Sequence, residues 1–136
     1  MKPHRARILA MQAIFQQQFQ SRPLSDLLSF DWIDYKVPEE EKIFASKLVK
    51  GVFENTESID RTIKHYSRNW DISRISQVSK AILRLSIFQM MDTASNTPPK
   101  VIIDEAIRLS KKYAEDDAGR FINGILDALY KQEKNT

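Results

Sequence analysis

The sequence predicts a single all-α domain. Only three of the 136 residues are glycine, and apolar residues recur at spacings of three and four, the period of an amphipathic helix. A chain of this length, with 42 % hydrophobic and 29 % charged residues, is long enough to bury a substantial core. We therefore expect about seven helices that form one domain over residues 1–136, with a frayed tail over residues 131–136.

Prolines and capping residues predict where the first helices begin and end. The first helix should end at Arg22-Pro23, because proline disfavours the α conformation in the residue before it. A short helix over Leu24–Ser29 should follow. Pro38 should start a third helix, since proline fits the first turn and the three glutamates after it favour the positive end of the helix dipole. Asn55 or Thr56 can cap a fourth helix.

The segment from Ser73 to Met91 is apolar nearly all round, which is typical of a helix buried among others. We expect it to be the central helix of the domain. A sixth helix should follow Pro98-Pro99, and a seventh should begin near Asp116 or Asp117. The pair Asn123-Gly124 is typical of a hairpin turn, but helical periodicity continues on both sides. We therefore expect Gly124 to let another helix approach closely.

Helical spacing assigns core-facing stripes to the first and third helices. We expect these stripes to face the core. In the first helix the stripe consists of Ile8, Met11, Phe15 and Phe19, and in the third of Ile43, Phe44, Leu48, Val49, Val52 and Phe53.

Positive charge is concentrated at the N terminus. The chain as a whole carries a formal charge of +3, yet no acidic residue precedes Asp26, while Lys2, Arg5, Arg7 and Arg22 come before it. Cations at the start of a chain that lead into a helix are typical of segments that bind a phosphate backbone. The alternative is a solvated, frayed terminus.

The composition argues against most catalytic and metal chemistry. The chain contains no cysteine, which excludes disulfides, thiolate metal sites and cysteine nucleophiles. His4 and His65 lack the spacing of metal ligands, and the pair Asp116-Asp117 lies at a helix start, where capping explains it. We expect no enzyme activity, cofactor or metal. No apolar run approaches the roughly 18 residues of a membrane span, so we expect a cytoplasmic protein that contacts no membrane.

Four blocks of the sequence carry a family resemblance. They are RARILAMQAIFQ, KLVKGVFENTESID, SKAILRLSIFQM and PKVIIDEAIRLSKKYAEDDAGRFINGILD. The last block is the most specific, because it joins an EA-x-x-L-S-K helix to an aromatic residue, an acidic turn and F-I-N-G-I-L-D. In this order and spacing the blocks resemble the NusB family of bacterial transcription antitermination factors over nearly the whole chain. The resemblance implies about seven helices in two small bundles.

The resemblance also implies a function. Proteins of the NusB family bind boxA, a short single-stranded RNA signal, as a pair with the ribosomal protein NusE. They do so within a complex that keeps RNA polymerase from terminating in ribosomal RNA operons, and some members form homodimers. Two alternatives stay open: the NusB-like RNA-binding domain of a ribosomal RNA cytosine methyltransferase, and a dimeric interaction protein without RNA contact. The chain ends at Thr136 without a methyl-donor domain, which disfavours the methyltransferase.

Site residues follow by matching the family's surfaces to this sequence. The RNA-binding set combines a basic arm over residues 1–7 with the start of the last helix. Phe121 could contact a base or belong to the apolar line of that helix, and Phe15 could contact NusE or belong to the core. Ser73 and Ser79 occupy positions where other members have acidic residues that face NusE. The RNA set is Lys2, His4, Arg5, Arg7, Gln12, Asp116, Asp117, Arg120 and Phe121, and the partner set is Phe15, Phe19, Ser73 and Ser79.

Overall fold

The computed structural model describes residues 2–68 and 75–134, and these residues form seven α-helices without a β-strand. The all-α prediction is therefore confirmed. In chain order the helices are α1 (Pro3–Phe19), α2 (Leu24–Ser29), α3 (Glu39–Glu54), α4 (Thr56–Tyr66), α5 (Gln77–Met91), α6 (Pro99–Tyr113) and α7 (Ala118–Lys134).

Helix α5 is the centre of the domain. It packs against α1 and α3 of one group of helices and against α4, α6 and α7 of the other, while α2 lies on α3. Two small groups of helices thus share α5, as expected for a helix that is apolar nearly all round. Its fully buried apolar side chains are Ala81, Ile82, Leu83, Leu85 and Ile87.

Most helix boundaries agree with the sequence signals, but α1 ends at Phe19 rather than at Arg22, and α7 extends to Lys134, into the predicted frayed tail. Helix α3 begins at Glu39, directly after Pro38, and α2 spans Leu24–Ser29. Helix α5 begins after Ser76, whose hydroxyl accepts a hydrogen bond of 3.1 Å from the backbone N–H of Ser79. This is the interaction that makes serine a good N-cap. The predicted start of α5 at Ser73 lies outside the described residues.

The predicted core stripe of α1 is displaced around the helix. Phe19 is 61 % exposed, and Ile8 and Phe15 are only partly buried. The buried face instead contains three alanines, because α1 lies against both α3 and α5 and small side chains let helix backbones come close. Ile43, assigned to the stripe of α3, is also 61 % exposed. The buried residues of α1 are Ala6, Arg7, Leu9, Ala10, Met11, Ala13 and Ile14.

Close helix approach depends on Gly51 and Gly119 rather than on Gly124. A Cβ atom at Gly51 would lie 1.9 Å from Cζ of Phe88 on α5, and one at Gly119 would lie 3.3 Å from Oγ of Ser110 on α6. Gly124 is exposed on α7, so the expectation of a close helix contact there is wrong.

The contact at Gly51 yields a test of packing between α3 and α5. Gly51→Ala should lower the free energy of unfolding by about 1–3 kcal/mol, because the new methyl group forces the Phe88 ring out of its place. Gly124→Ala is the matched control, and it should raise stability by about 0.5–1 kcal/mol by removing a flexible residue from a helix. Urea unfolding followed by circular dichroism measures both. Equal effects of the two substitutions would contradict the packing argument.

Candidate nucleic-acid interface

The basic arm is the beginning of α1 and is docked on the rest of the protein. Helix α1 starts at Pro3, so His4 and Arg5 are helical residues. His4 Nδ1 contacts Oε1 of Glu105 on α6, and Nη2 of Arg5 lies 3.3 Å from Oε2 of Glu41 on α3. The arm therefore presents its cations from fixed positions.

Arg7 is buried, unlike the exposed arm cation that the resemblance implies. Its side chain is 6 % exposed; Nε donates to Oε1 of Gln89 at 2.9 Å, and Nη2 donates to Oγ1 of Thr97 at 3.3 Å. The guanidinium lies 5.5 Å from the centre of the Phe44 ring. Burial lowers the pKa of Arg7, and the charge of Glu105 opposes this shift. Arg7 therefore fixes α1 against α5 instead of facing a phosphate.

Two buried carboxylates hold the arm in place. Glu41 and Glu105 are only 3 % and 7 % exposed, and a buried charge needs a partner because it has lost its water. Among the described residues, the Arg5 guanidinium is the ion-pair partner of Glu41. Glu105 contacts His4 and also lies 3.6 Å from Nη1 of Arg108. Arg5 and His4 thus stabilise the fold, and Arg5 also contributes positive charge.

A groove between α6 and α7 contains the second half of the predicted RNA surface. Its volume is about 440 Å³. Gly119 of α7 and Ser110 of α6 approach each other closely in its lining. Two residues of the predicted set, Asp116 and Arg120, line it, and both are exposed. The full lining is Ile107, Ser110, Lys111, Ala114, Glu115, Asp116, Gly119, Arg120 and Asn123.

Helix α6 connects the arm to this groove. Arg108 lies beside the contact between His4 and Glu105, and Lys111 follows three residues later, on the same side of the helix. Sequence reasoning missed both residues, although their spacing in RLSKKY is the signal that places them on one face. We call this surface the basic band and define it as the exposed or half-exposed basic residues Lys2, His4, Arg5, Arg108, Lys111 and Arg120.

Phe121 is buried, and Gln12 is partly buried. Phe121 is 7 % exposed and belongs to the buried line of α7 with Ile122, Ile125 and Leu129, which favours its alternative assignment to the core. A stacked base needs an accessible ring face. Gln12 is half-buried, and its Oε1 atom is buried without a hydrogen bond from the described residues. Asp117, by contrast, is exposed beside the groove.

The residues assigned to the protein partner separate into two groups. Phe15 and Phe19 form an edge-to-face pair with ring centres 4.9 Å apart, and the Phe19 ring protrudes into solvent at the end of α1. Ser79 is fully buried, so the structure places it in the interior rather than on a partner surface. Ser73 lies outside the described residues.

Ser79 instead connects α5 to the turn before α7. Its hydroxyl donates to Oε1 of Glu115 at 2.9 Å and accepts from the Ser76 hydroxyl at 3.1 Å. Burial acts to raise the pKa of Glu115, but hydrogen bonds from Ser76, the backbone and Ser79 outweigh it, so the pKa lies below its usual range. These bonds favour the ionised carboxylate.

The described parts of the chain contain neither a candidate metal site nor a candidate membrane span. Within residues 2–68 and 75–134, no three His, Cys, Asp or Glu side chains come together in a way that could hold a metal ion. In the same residues, no helix combines the length and the apolar character that a membrane span requires.

The burial of Phe121 gives a test of its role. Phe121→Ala should lower the free energy of unfolding by about 3–5 kcal/mol, because it leaves a cavity in the core. Phe19→Ala removes the same ring from an exposed site and should cost far less. Chemical denaturation measures both variants. Wild-type stability of Phe121→Ala would show that the ring is not part of the core.

The lowered pKa of Glu115 predicts a dependence of stability on pH. Because the folded state favours the carboxylate, Glu115 stabilises the fold above its ordinary pKa of 4.5, and this contribution disappears as pH falls through the lower folded pKa. The stability difference between the wild type and Glu115→Gln should therefore shrink between about pH 6 and pH 3. Urea unfolding across this range measures it, and a difference independent of pH would contradict the hydrogen-bonded carboxylate.

Comparison with known proteins agrees with this architecture. The model of the NusB family matches residues 4–131. The transcription antitermination protein NusB of Leptospira biflexa is 45 % identical over 130 residues, which cover 96 % of this chain and 92 % of that protein. The structure of T. maritima NusB superposes with a TM-score of 0.86 at 32 % identity, covering 97 % of this chain and 92 % of the other.

A second similar structure contains a protein partner and RNA. It is a complex of the antitermination factors NusB and NusE with double-stranded RNA, and its matching chain is 27 % identical, with a TM-score of 0.76 and coverage of 97 % of this chain and 99 % of that one. The match of the family model to almost the entire chain, together with 45 % identity to a curated member, establishes the relationship. The chain belongs to the NusB family.

Proposed function

We propose that this protein is a transcription antitermination factor that binds boxA-type single-stranded RNA through the basic band. The observation that supports this most directly is the placement of Lys111 and Arg120 on one groove, beside an arm that is docked on α6. Exposed cations on adjoining elements attract a phosphate backbone and release its counterions. The related complex of NusB, NusE and RNA supports nucleic acid as the ligand class.

The basic band and the groove contact different parts of the RNA. The cations contact phosphates, which sets the position of the strand without selecting its sequence. Sequence preference requires contacts to base edges, and the groove offers the carboxylate of Asp116 and the amide of Asn123 beside Arg120. Asp116 accepts hydrogen bonds from exocyclic amines, whereas Asn123 both donates and accepts.

The exposed aromatic pair at the end of α1 is the proposed contact for NusE. Phe19 is the most exposed of the described aromatic side chains, and Phe15 supports its ring. Exposed aromatic residues are enriched at protein interfaces. In this proposal the protein works without catalysis, in the cytoplasm, as a part of the complex that keeps RNA polymerase from terminating.

A salt titration tests the RNA interface. A boxA-like single-stranded RNA and a scrambled RNA of equal length are titrated with and without NusE, at several salt concentrations. Lys111→Ala combined with Arg120→Ala should weaken binding of both RNAs and make the log–log salt slope less negative by about 1.4, from about 0.7 per lost phosphate contact.

Arg61→Ala combined with Lys64→Ala is the matched control, since it removes the same charge from exposed positions of α4 outside the band. This variant should keep the wild-type slope. Equal salt slopes for the wild type and both double variants would exclude the groove from RNA binding. Equal affinity for the boxA-like and the scrambled RNA in the presence of NusE would contradict boxA as the ligand.

A further inference from the structure

A second set of exposed cations lies on the outer face of α3. It includes Lys47 and Lys50, one turn apart, and the exposed Ile43 lies one turn before Lys47. Within the described residues, these two lysines form neither a hydrogen bond nor an ion pair. The face contains a shallow depression of about 400 Å³, lined by Glu39, Lys42, Ile43, Ser46, Lys47 and Lys50.

A smaller hollow adjoins this face, between α3 and the loop from α5 to α6. Lys47 lines both the depression and the hollow. The hollow has a volume of about 170 Å³, below the roughly 300–1,000 Å³ of pockets that enclose an entire small molecule. It therefore suits one planar ring system. Its lining is Phe44, Lys47, Leu48, Gln89, Asp92, Ala94, Ser95, Asn96 and Thr97.

The walls of the hollow are held in place by hydrogen bonds. Oδ1 of Asp92 accepts from the backbone N–H of Ala94 at 3.1 Å, and Oγ of Ser95 accepts from the backbone N–H of Thr97 at 3.2 Å. Behind the same wall, the buried Arg7 guanidinium binds both Gln89 and Thr97. A preformed hollow loses little entropy when a ligand enters.

The chemistry of the lining favours a base over a phosphate inside the hollow. The carboxylate of Asp92 repels a phosphate but accepts hydrogen bonds from the exocyclic amine of a base. Phe44 and Leu48 add apolar surface, and Asn96 has an exposed amide that can donate and accept. Single-stranded RNA is commonly recognised through unstacked bases held by such apolar and polar contacts.

We infer that this face binds one unstacked nucleotide of the RNA, with its base in the hollow and the neighbouring phosphates on Lys47 and Lys50. The inference rests on the proposed function, because it adds a contact for the same single-stranded RNA. The hollow adjoins the docked arm, because the Arg7 guanidinium lies 5.5 Å from the centre of the Phe44 ring, and Phe44 lines the hollow. RNA that follows the arm thereby reaches two lysines and a base pocket.

The same salt titration, with the boxA-like RNA, tests this site in the full-length protein. Lys47→Ala combined with Lys50→Ala should make the salt slope less negative by about 1.4. Asn96→Ala should weaken binding about fivefold, the effect of one neutral hydrogen bond, and leave the slope unchanged. RNA that contains 4-thiouridine should form photo-crosslinks to residues 92–97. The control is again Arg61→Ala with Lys64→Ala.

The possible results separate failure of this site from failure of the proposed function. If the lysine variant keeps the wild-type slope while Lys111→Ala with Arg120→Ala changes it, the α3 site is wrong and the basic band stands. Loss of NusE binding by the lysine variant at an unchanged RNA slope would make α3 a protein-docking face, which also overturns the inference. Absence of crosslinks to residues 92–97 overturns the base pocket, and absence of any RNA binding overturns both proposals.

Discussion

The docking of the first two turns of α1 is the interaction on which the candidate surfaces depend. The Arg7 guanidinium is buried between α1 and α5 and reaches the loop before α6 through Thr97. His4 and Arg5 extend the contact to α6 and α3 through buried carboxylates. Leaving such a carboxylate buried without its partner is strongly destabilising, by about 3–5 kcal/mol in measured cases. The N terminus is thereby held in one position relative to three other helices.

This arrangement changes how a basic arm can bind RNA. A free arm would lose conformational entropy when it ordered on a phosphate backbone, whereas a docked helix has already lost it during folding. Because the cations sit at fixed points, the path of a bound strand is constrained by the protein. In the proposed complex, the strand follows α6 past Arg108 and Lys111 between the arm and Arg120. The same buried Arg7 shapes the hollow beside α3, so one residue organises both candidate RNA sites without being exposed in either.

Helix α5 explains why these surfaces can be close to each other. It contacts helices of both groups, so α1 and α6 lie on neighbouring sides of a single apolar core. Small residues bring the helices together: the alanines of α1, Gly51 against Phe88, and Gly119 against Ser110. Close approach of α7 to α6 at Gly119 places Arg120 on the same groove as Lys111.

Local sequence signals were sufficient for the all-α class, the central role of α5 and most helix boundaries. These properties depend on backbone preferences and apolar periodicity, which act over a few residues, as Pro38 before α3 and Ser76 before α5 illustrate. Basic residues near the N terminus were also evident from the chain alone. The family resemblance added the ligand class, which periodicity and composition could not supply.

The tertiary structure decided which of these side chains are accessible. Periodicity assigned Phe19 to the core, and the family pattern assigned Arg7, Ser79 and Phe121 to binding surfaces, yet Phe19 is exposed and the other three are buried. Exposure depends on what the neighbouring helices cover, and their positions are set by contacts between residues far apart in sequence, such as Arg7 with Gln89 and Ser79 with Glu115. A helical repeat predicts that a helix has a buried face, but only packing determines which residues occupy it.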